Sequence, residues 1–176
     1  MNTDGTRIRA SSRGLIRALS VFHPWLDLIS MAPEASAAMT DSPSTSLDPM
    51  DELLEAARSA SRSAYCPYSN FHVGAAIRAG GRIFTGANIE NASYGLTICA
   101  ERTAMFAAIL AGCSEVEAVA VACVDAPEGS SPEQLMPCGA CRQVLAEFAS
   151  SKIPVMIDRV GRLTLGDLLP MAFRLR

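Results

Sequence analysis

Residues 71–88 read Phe-His-Val-Gly-Ala-Ala-Ile-Arg-Ala-Gly-Gly-Arg-Ile-Phe-Thr-Gly-Ala-Asn. Two runs rich in apolar and small residues flank Gly80-Gly81, and paired glycines tolerate the positive φ angles that a tight hairpin turn demands. The stretch therefore predicts a strand over 71–79, a turn, and an antiparallel partner over 82–88. Upstream, Asp48 is a good N-cap and Pro49 suits the first helical position. Leu53, Leu54, Ala57 and Ala60 keep the helical spacing, so a helix is expected to run to about Ala64, with Pro67 blocking any extension. Downstream, Cys99 to Gly112 reads as a helix closed by a glycine. Glu117 to Val124 reads as a strand buried on both faces. A polar loop, 125–136, leads to a helix over 138–150 and a strand over 153–158. Leu163 to Phe173 should form a short strand or turn and then a brief helix. Helix, hairpin, helix, strand, helix, strand is the order of an α/β domain, a mixed sheet with helices on both faces.

The chain has 176 residues, enough for one domain of ordinary size. Hydrophobic residues make up 49% and charged residues only 19%. So few charges point to surface buried against other subunits. The net charge of -3 comes without a basic stripe, which argues against a nucleic-acid partner. No apolar run approaches the roughly 18 residues of a membrane span. Four arginines (Arg7, Arg9, Arg13, Arg17) oppose one acid (Asp4) in the first 22 residues. An Arg- and Ser-rich, acid-poor start resembles an organelle transit peptide. The favoured reading is a dispensable tail, or an upstream start codon with Met31 or Met39 the true start, in a cytoplasmic protein. Residues 32–47 are rich in Ala, Ser, Pro and Thr without periodicity and read as linker. Residues 1–47 are thus expected to be a disordered extension and 48–176 the working domain.

Cys66, Cys99, Cys113, Cys123, Cys138 and Cys141 are the six cysteines. Without an evident secretory signal a disulfide framework is not expected. Cys113 and Cys123 lie among apolar residues and read as inert core thiols, and Cys66 as structural. Cys138 and Cys141 are three apart at a helix start, so both sulfurs share a face. Cys99 opens another predicted helix. Three thiolates fit one zinc ion and leave the fourth tetrahedral position for water, the layout of a catalytic site. A structural site would want a fourth ligand, and neither His23 nor His72 is convincing. Two helix N-termini, with Arg102 and Arg142 beside ligands, would offset the negative charge of the thiolates. Glu101 is not needed as a ligand and can move protons beside the water. A lone C-x-x-C would equally suit a redox pair, and an acidic residue in a first helical turn is common on dipole grounds alone.

The segments that carry a resemblance are Ala64-Tyr65-Cys66-Pro67-Tyr68-Ser69, Phe71 with Val73-Gly74-Ala75-Ala76, and Asn88-Ile89-Glu90-Asn91-Ala92-Ser93-Tyr94. Further on stand Cys99-Ala100-Glu101-Arg102-Thr103-Ala104, Pro137-Cys138-Gly139-Ala140-Cys141-Arg142-Gln143, and Leu168-Leu169-Pro170 with Phe173. In these the chain resembles the small homotetrameric cytidine deaminases over about residues 50–173. The resemblance implies a three-layer α-β-α fold around a mixed five-stranded sheet, making 48–176 a zinc-dependent deaminase domain. It implies one Zn²⁺ per subunit on Cys99, Cys138 and Cys141, and Glu101 as the proton-transfer group. It implies hydrolytic deamination of cytidine and deoxycytidine in pyrimidine salvage, with Asn88 and Glu90 on the ribose, Phe71 against the base and Ala100 in the binding pocket. It implies that Tyr94 and Phe173 lie near subunit boundaries, with Phe173 closing a neighbour's site. Ala87 stands where the family often has cysteine, and the 125–136 loop is long for the family, altering the rim of the site.

Overall fold

A computed structural model describes residues 48–175; the expected tail and linker, 1–47, lie outside the described residues. Asp48 caps helix α1 (Pro49–Ala60), its carboxylate accepting from the Met50 N–H at 2.7 Å. One 3-10 turn, Ser61–Ser63, follows. Strands β1 (Val73–Ala79) and β2 (Arg82–Ala87) pair antiparallel, and Gly80 and Gly81 take φ of 57° and 67° between them. Then come α2 (Ala100–Leu110), β3 (Val116–Cys123), a four-residue α3 (Pro132–Leu135) and α4 (Gly139–Phe148). Strands β4 (Pro154–Ile157) and β5 (Gly161–Thr164) and a last turn of helix α5 (Leu165–Leu168) complete the domain.

The five strands lie in the order β2-β1-β3-β4-β5. Only β3 and β4 run parallel, joined through α4, so the sheet is mixed as expected. Strand β3 shows how three layers form. Ala118, Ala120 and Ala122 face α1 and pack with Met50, Leu53 and Ala57. Val119, Val121 and Cys123 face the opposite way, among Ala104, Met105 and Leu145 of α2 and α4. The strand is buried on both faces, with Glu117 its one exposed residue.

Three boundaries differ from expectation, each for a local reason. Helix α1 ends at Ala60 rather than near Ala64, because Ser61 turns its hydroxyl onto the Arg58 carbonyl and the chain tightens to 3-10. The 125–136 segment is not all loop: Ser131 and Gln134 form a reciprocal capping box with Pro132 at the first turn. Strand β1 starts at Val73 rather than Phe71, because the Asn88 side chain takes the place of a neighbouring strand there. Its Oδ1 accepts from the Val73 N–H at 2.9 Å and its Nδ2 donates to the Phe71 carbonyl at 2.9 Å.

Candidate metal centre

Cys99 is the N-cap of α2 and Cys138 the N-cap of α4, with Cys141 in the first turn of α4. Both helices therefore aim their positive ends at one spot. The three sulfurs lie within 4.8 Å of one another; Cys99 to Cys138 is 3.9 Å and Cys138 to Cys141 is 3.5 Å. Sulfurs at about 2.3 Å from a tetrahedral zinc would be about 3.8 Å apart, so these thiols fit the ion. All six cysteines are free.

The thiols of Cys99 and Cys141 shift in opposite directions. The Cys141 thiol donates to Cys99 and Arg102 sits beside it, so the Cys99 thiol is pulled down to about 5. The same hydrogen bond and burial push Cys141 up. Arg102 Nη2 reaches Cys99 Sγ at 3.6 Å and the Thr97 carbonyl at 3.0 Å, while its Nε is buried without a partner among the described residues. That cation offsets thiolate charge. Arg142 takes a different task from the one expected: its Nε donates to the Pro137 carbonyl at 2.7 Å and its Nη1 to the Leu168 carbonyl at 2.8 Å. It fastens the ligand-bearing turn to α5, and its recorded bonds go to carbonyls rather than to sulfur.

A cavity of about 230 Å³ opens beside the thiols. Phe71, Asn88, Cys99, Ala100, Glu101 and Cys138 line it together, although they come from four separate stretches of chain. Glu101 is 4% exposed, and burial pushes its carboxyl above the usual range, with the Cys99 thiolate adding to the effect. Val73, Thr97, Val121, Cys123, Gln134, Leu135 and Met136 complete the wall. Sequence reasoning missed the last three because their segment read as polar loop; the Ser131–Gln134 capping signal was the available clue.

Asn88 lines the cavity, while Glu90, Tyr94 and Phe173 are not among its lining residues. Strand β2 ends at Ala87, and Ile89 bridges to both Tyr65 and Ile98. Glu90 meets the Tyr68-Ser69 bend. It accepts from both backbone N–H groups and from the Ser69 hydroxyl, at 3.0, 3.2 and 2.5 Å. The Ser69 hydroxyl foremost holds its carboxyl below the usual range. It is not the buried carboxylate that its place beside Asn88 implied. Tyr94 is 91% and Phe173 69% exposed. The Phe173 backbone is docked on α4 through both ends of the Gln143 amide. Of the three thiols read as inert or structural, Cys66 and Cys123 are buried and burial raises both. Cys113 is instead partly exposed.

Residues 48–157 match the family model described as the cytidine and deoxycytidylate deaminase zinc-binding region. A cytidine deaminase of Mycobacterium tuberculosis is 50% identical over 121 residues, 68% of this chain and 85% of its own length. One from Halalkalibacterium halodurans is 44% identical over 126 residues, 69% of this chain and 91% of its own length. Among solved structures, the cytidine deaminase of Burkholderia pseudomallei superposes with a TM-score of 0.62 at 45% identity, covering 70% of this chain and 98% of the other. That of M. tuberculosis gives 0.63 at 43%, covering 73% and 99%. With the thiol trio and the five-stranded sheet already in place, these matches make the chain a member of the cytidine and deoxycytidylate deaminase family.

Proposed function

We propose that this protein hydrolyses cytidine and deoxycytidine to uridine and deoxyuridine, releasing ammonia, as a step of pyrimidine salvage. The observation that carries the reading is a buried Glu101, its carboxyl pushed above the usual range by burial, on the same small cavity as Cys99 and Cys138. Cys99, Cys138 and Cys141 would hold one Zn²⁺, which when bound supplies Lewis-acid activation of water. Glu101 takes a proton from the attacking water and delivers protons to pyrimidine N3 and to the departing amino nitrogen. A carboxyl raised by burial suits this, since a shuttle must both accept and give near neutral pH. Arg102 keeps the thiolate charge from building up. Phe71 packs on the base, Ala100 floors the pocket beside Cys99, and Asn88 and Glu90 hold the ribose. Asn88 keeps one Nδ2 hydrogen and Glu90 one Oε1 lone pair beyond the bonds described.

The cavity is small and carries no Lys or Arg in its wall, which supports a free nucleoside over a nucleotide or nucleic acid. No described helix is long and apolar enough to cross a membrane. Six free thiols support a reducing, cytoplasmic setting. A homotetramer accounts for Tyr94, Leu110 and Phe173, each large, apolar and more than two-thirds exposed on the single chain. In it Tyr94 and Phe173 sit at subunit boundaries, with Phe173 closing a neighbour's pocket. Purified protein should remove the ultraviolet absorbance of cytidine and deoxycytidine and show much lower kcat/KM on cytidine 5′-monophosphate. No absorbance change with zinc-loaded protein would refute the activity, and equal kcat/KM for nucleoside and nucleotide would refute the substrate class. Light scattering that finds an active monomer would refute the assembly.

A further inference from the structure

One wall of the cavity hangs on a single turn. The segment from Cys123 to Met136 leaves β3, crosses the rim and returns with Gln134, Leu135 and Met136 against the pocket. The turn at its start is held from both sides. On one side stands His72, next in sequence to the pocket residue Phe71. Its backbone N–H donates to Asp125 Oδ2 at 2.7 Å, and its Nδ1 lies 2.6 Å from the same oxygen. Its carbonyl accepts from the Val124 N–H at 3.2 Å. On the other side stands Arg159, from the bend between β4 and β5. Its Nη2 donates to the Cys123 carbonyl at 2.6 Å and its Nη1 to the Ala126 carbonyl at 2.9 Å.

Arg159 holds this pose against a local cost. Its φ is 63°, in the left-handed region that residues with a Cβ seldom occupy. A glycine there would relax the backbone, yet only a long donor fork can span the two carbonyls. The stretch from Cys123 to Ala126 is thus pinned at four successive residues, by groups from two other strand ends. The Cys123 and Ala126 carbonyls are engaged, and the Asp125 carboxylate is committed to His72.

Resting on the deaminase reading above, we propose that His72 and Arg159 are positioning residues for the nucleoside: by fixing the Cys123–Ala126 turn they set where the Gln134–Met136 wall stands opposite Phe71. Neither touches the metal ligands or lines the pocket. Their contribution falls on binding, because a displaced wall loosens the fit of the base while Glu101 and the thiols stay on α2 and α4. A staple that serves only folding would instead lower the melting temperature and leave KM alone.

Arg159→Gly separates the two roles, since it relieves the strained φ while removing the fork. The expected result is a KM for cytidine raised roughly tenfold, with kcat within about twofold, zinc content unchanged and little loss of Tm. His72→Ala and Asp125→Ala should each raise KM, and the double variant should be no worse than Asp125→Ala alone, since losing the carboxylate already removes both bonds to His72. His72→Asn, whose amide can place a donor where Nδ1 stands, should keep most of the affinity that His72→Ala loses. Amide hydrogen exchange supplies a readout free of substrate: Gln134 and its neighbours should exchange faster in Arg159→Gly and His72→Ala. Unchanged KM and unchanged exchange in these variants overturn the proposal. So does a joint loss of kcat and zinc, which would mark a general folding defect. Faster exchange in a protein whose wild type never turns over cytidine upholds the positioning role and overturns the activity.

Discussion

The two faces of the sheet are built from the same strands and have opposite characters. Toward α1, β1 and β3 present Ala76, Ala118, Ala120 and Ala122, and the helix lies so close that a Cβ on Gly74 would fall 1.9 Å from the Ala57 carbonyl oxygen. Toward α2 and α4, the alternate residues are Ile77, Val119 and Val121. The helices on that side carry a buried carboxyl, Glu101, and a buried thiol, Cys141, beside an open cavity. Burying such groups without a full set of partners costs free energy. The cluster packed against α1 holds only apolar side chains. Substitutions on the two faces should therefore fail in different ways.

The largest effects belong to the cavity face, and they separate metal from proton transfer. Cys138→Ser should lose zinc, activity and much of the thermal stability, because metal binding and folding are coupled. Glu101→Gln should keep zinc by elemental analysis and keep its fold, yet lose roughly 10²–10⁴-fold in kcat, the range of a general acid–base group. Full zinc in the first variant would remove Cys138 from the ligand set. Near-normal turnover in the second would remove Glu101 from the chemistry.

A matched pair of glycines tests the contrast itself. A Cβ on Gly86 would lie 2.3 Å from the Ala104 amide nitrogen and 2.7 Å from the Ala100 carbonyl oxygen, both on α2. Gly86→Ala must push α2 outward, and with it Cys99 and Glu101. Gly74→Ala must push α1 outward on the far side. Each should cost about 1–3 kcal/mol by overpacking, read as a fall in Tm. Only Gly86→Ala should also lower kcat and zinc affinity at temperatures where both variants remain folded. Equal kcat in the two folded variants would mean that the helix bearing the site tolerates displacement.

What could be read beforehand follows the same division. Elements announced by local chemistry were legible: the Asp48 cap, the Gly80-Gly81 turn, Cys99 and Cys138 opening their helices. The alternating Ala-Val pattern of β3 announced a strand buried on both sides. Contacts made across the fold were not. Nothing local says that the Asn88 amide replaces a strand at the edge of β1, or that Arg142 turns to carbonyls instead of sulfur. Nor does spacing reveal that the Glu90 carboxylate is taken up by the backbone and hydroxyl of the Tyr68-Ser69 bend.

The smallest expected effect lies on the α1 face, at the ion pair between α1 and the end of β4. Arg58 grips Asp158 side-on, Nε to Oδ2 at 3.1 Å and Nη2 to Oδ1 at 2.6 Å, and also meets Glu55. The guanidinium holds the Asp158 carboxyl below the usual carboxylate range. A carboxyl depressed in the folded state contributes stability above its unfolded pKa of about 3.9, and loses it as pH falls through the lower folded value. Arg58→Gln should therefore leave Asp158 closer to its unfolded value and flatten the fall of stability in that acid window. At neutral pH the expected loss is roughly 1–2 kcal/mol. It is no larger because the Arg58 side chain is 42% exposed and water screens the pair. Activity per folded molecule should not change, since the pair lies across the sheet from the cavity. Chemical denaturation from pH 3 to 7, with kcat measured alongside, checks both halves. A variant that unfolds in acid along the same curve as the wild type would show that the pair contributes nothing to the closed face. A variant that folds normally but turns over slowly would show that the two faces are coupled through the sheet.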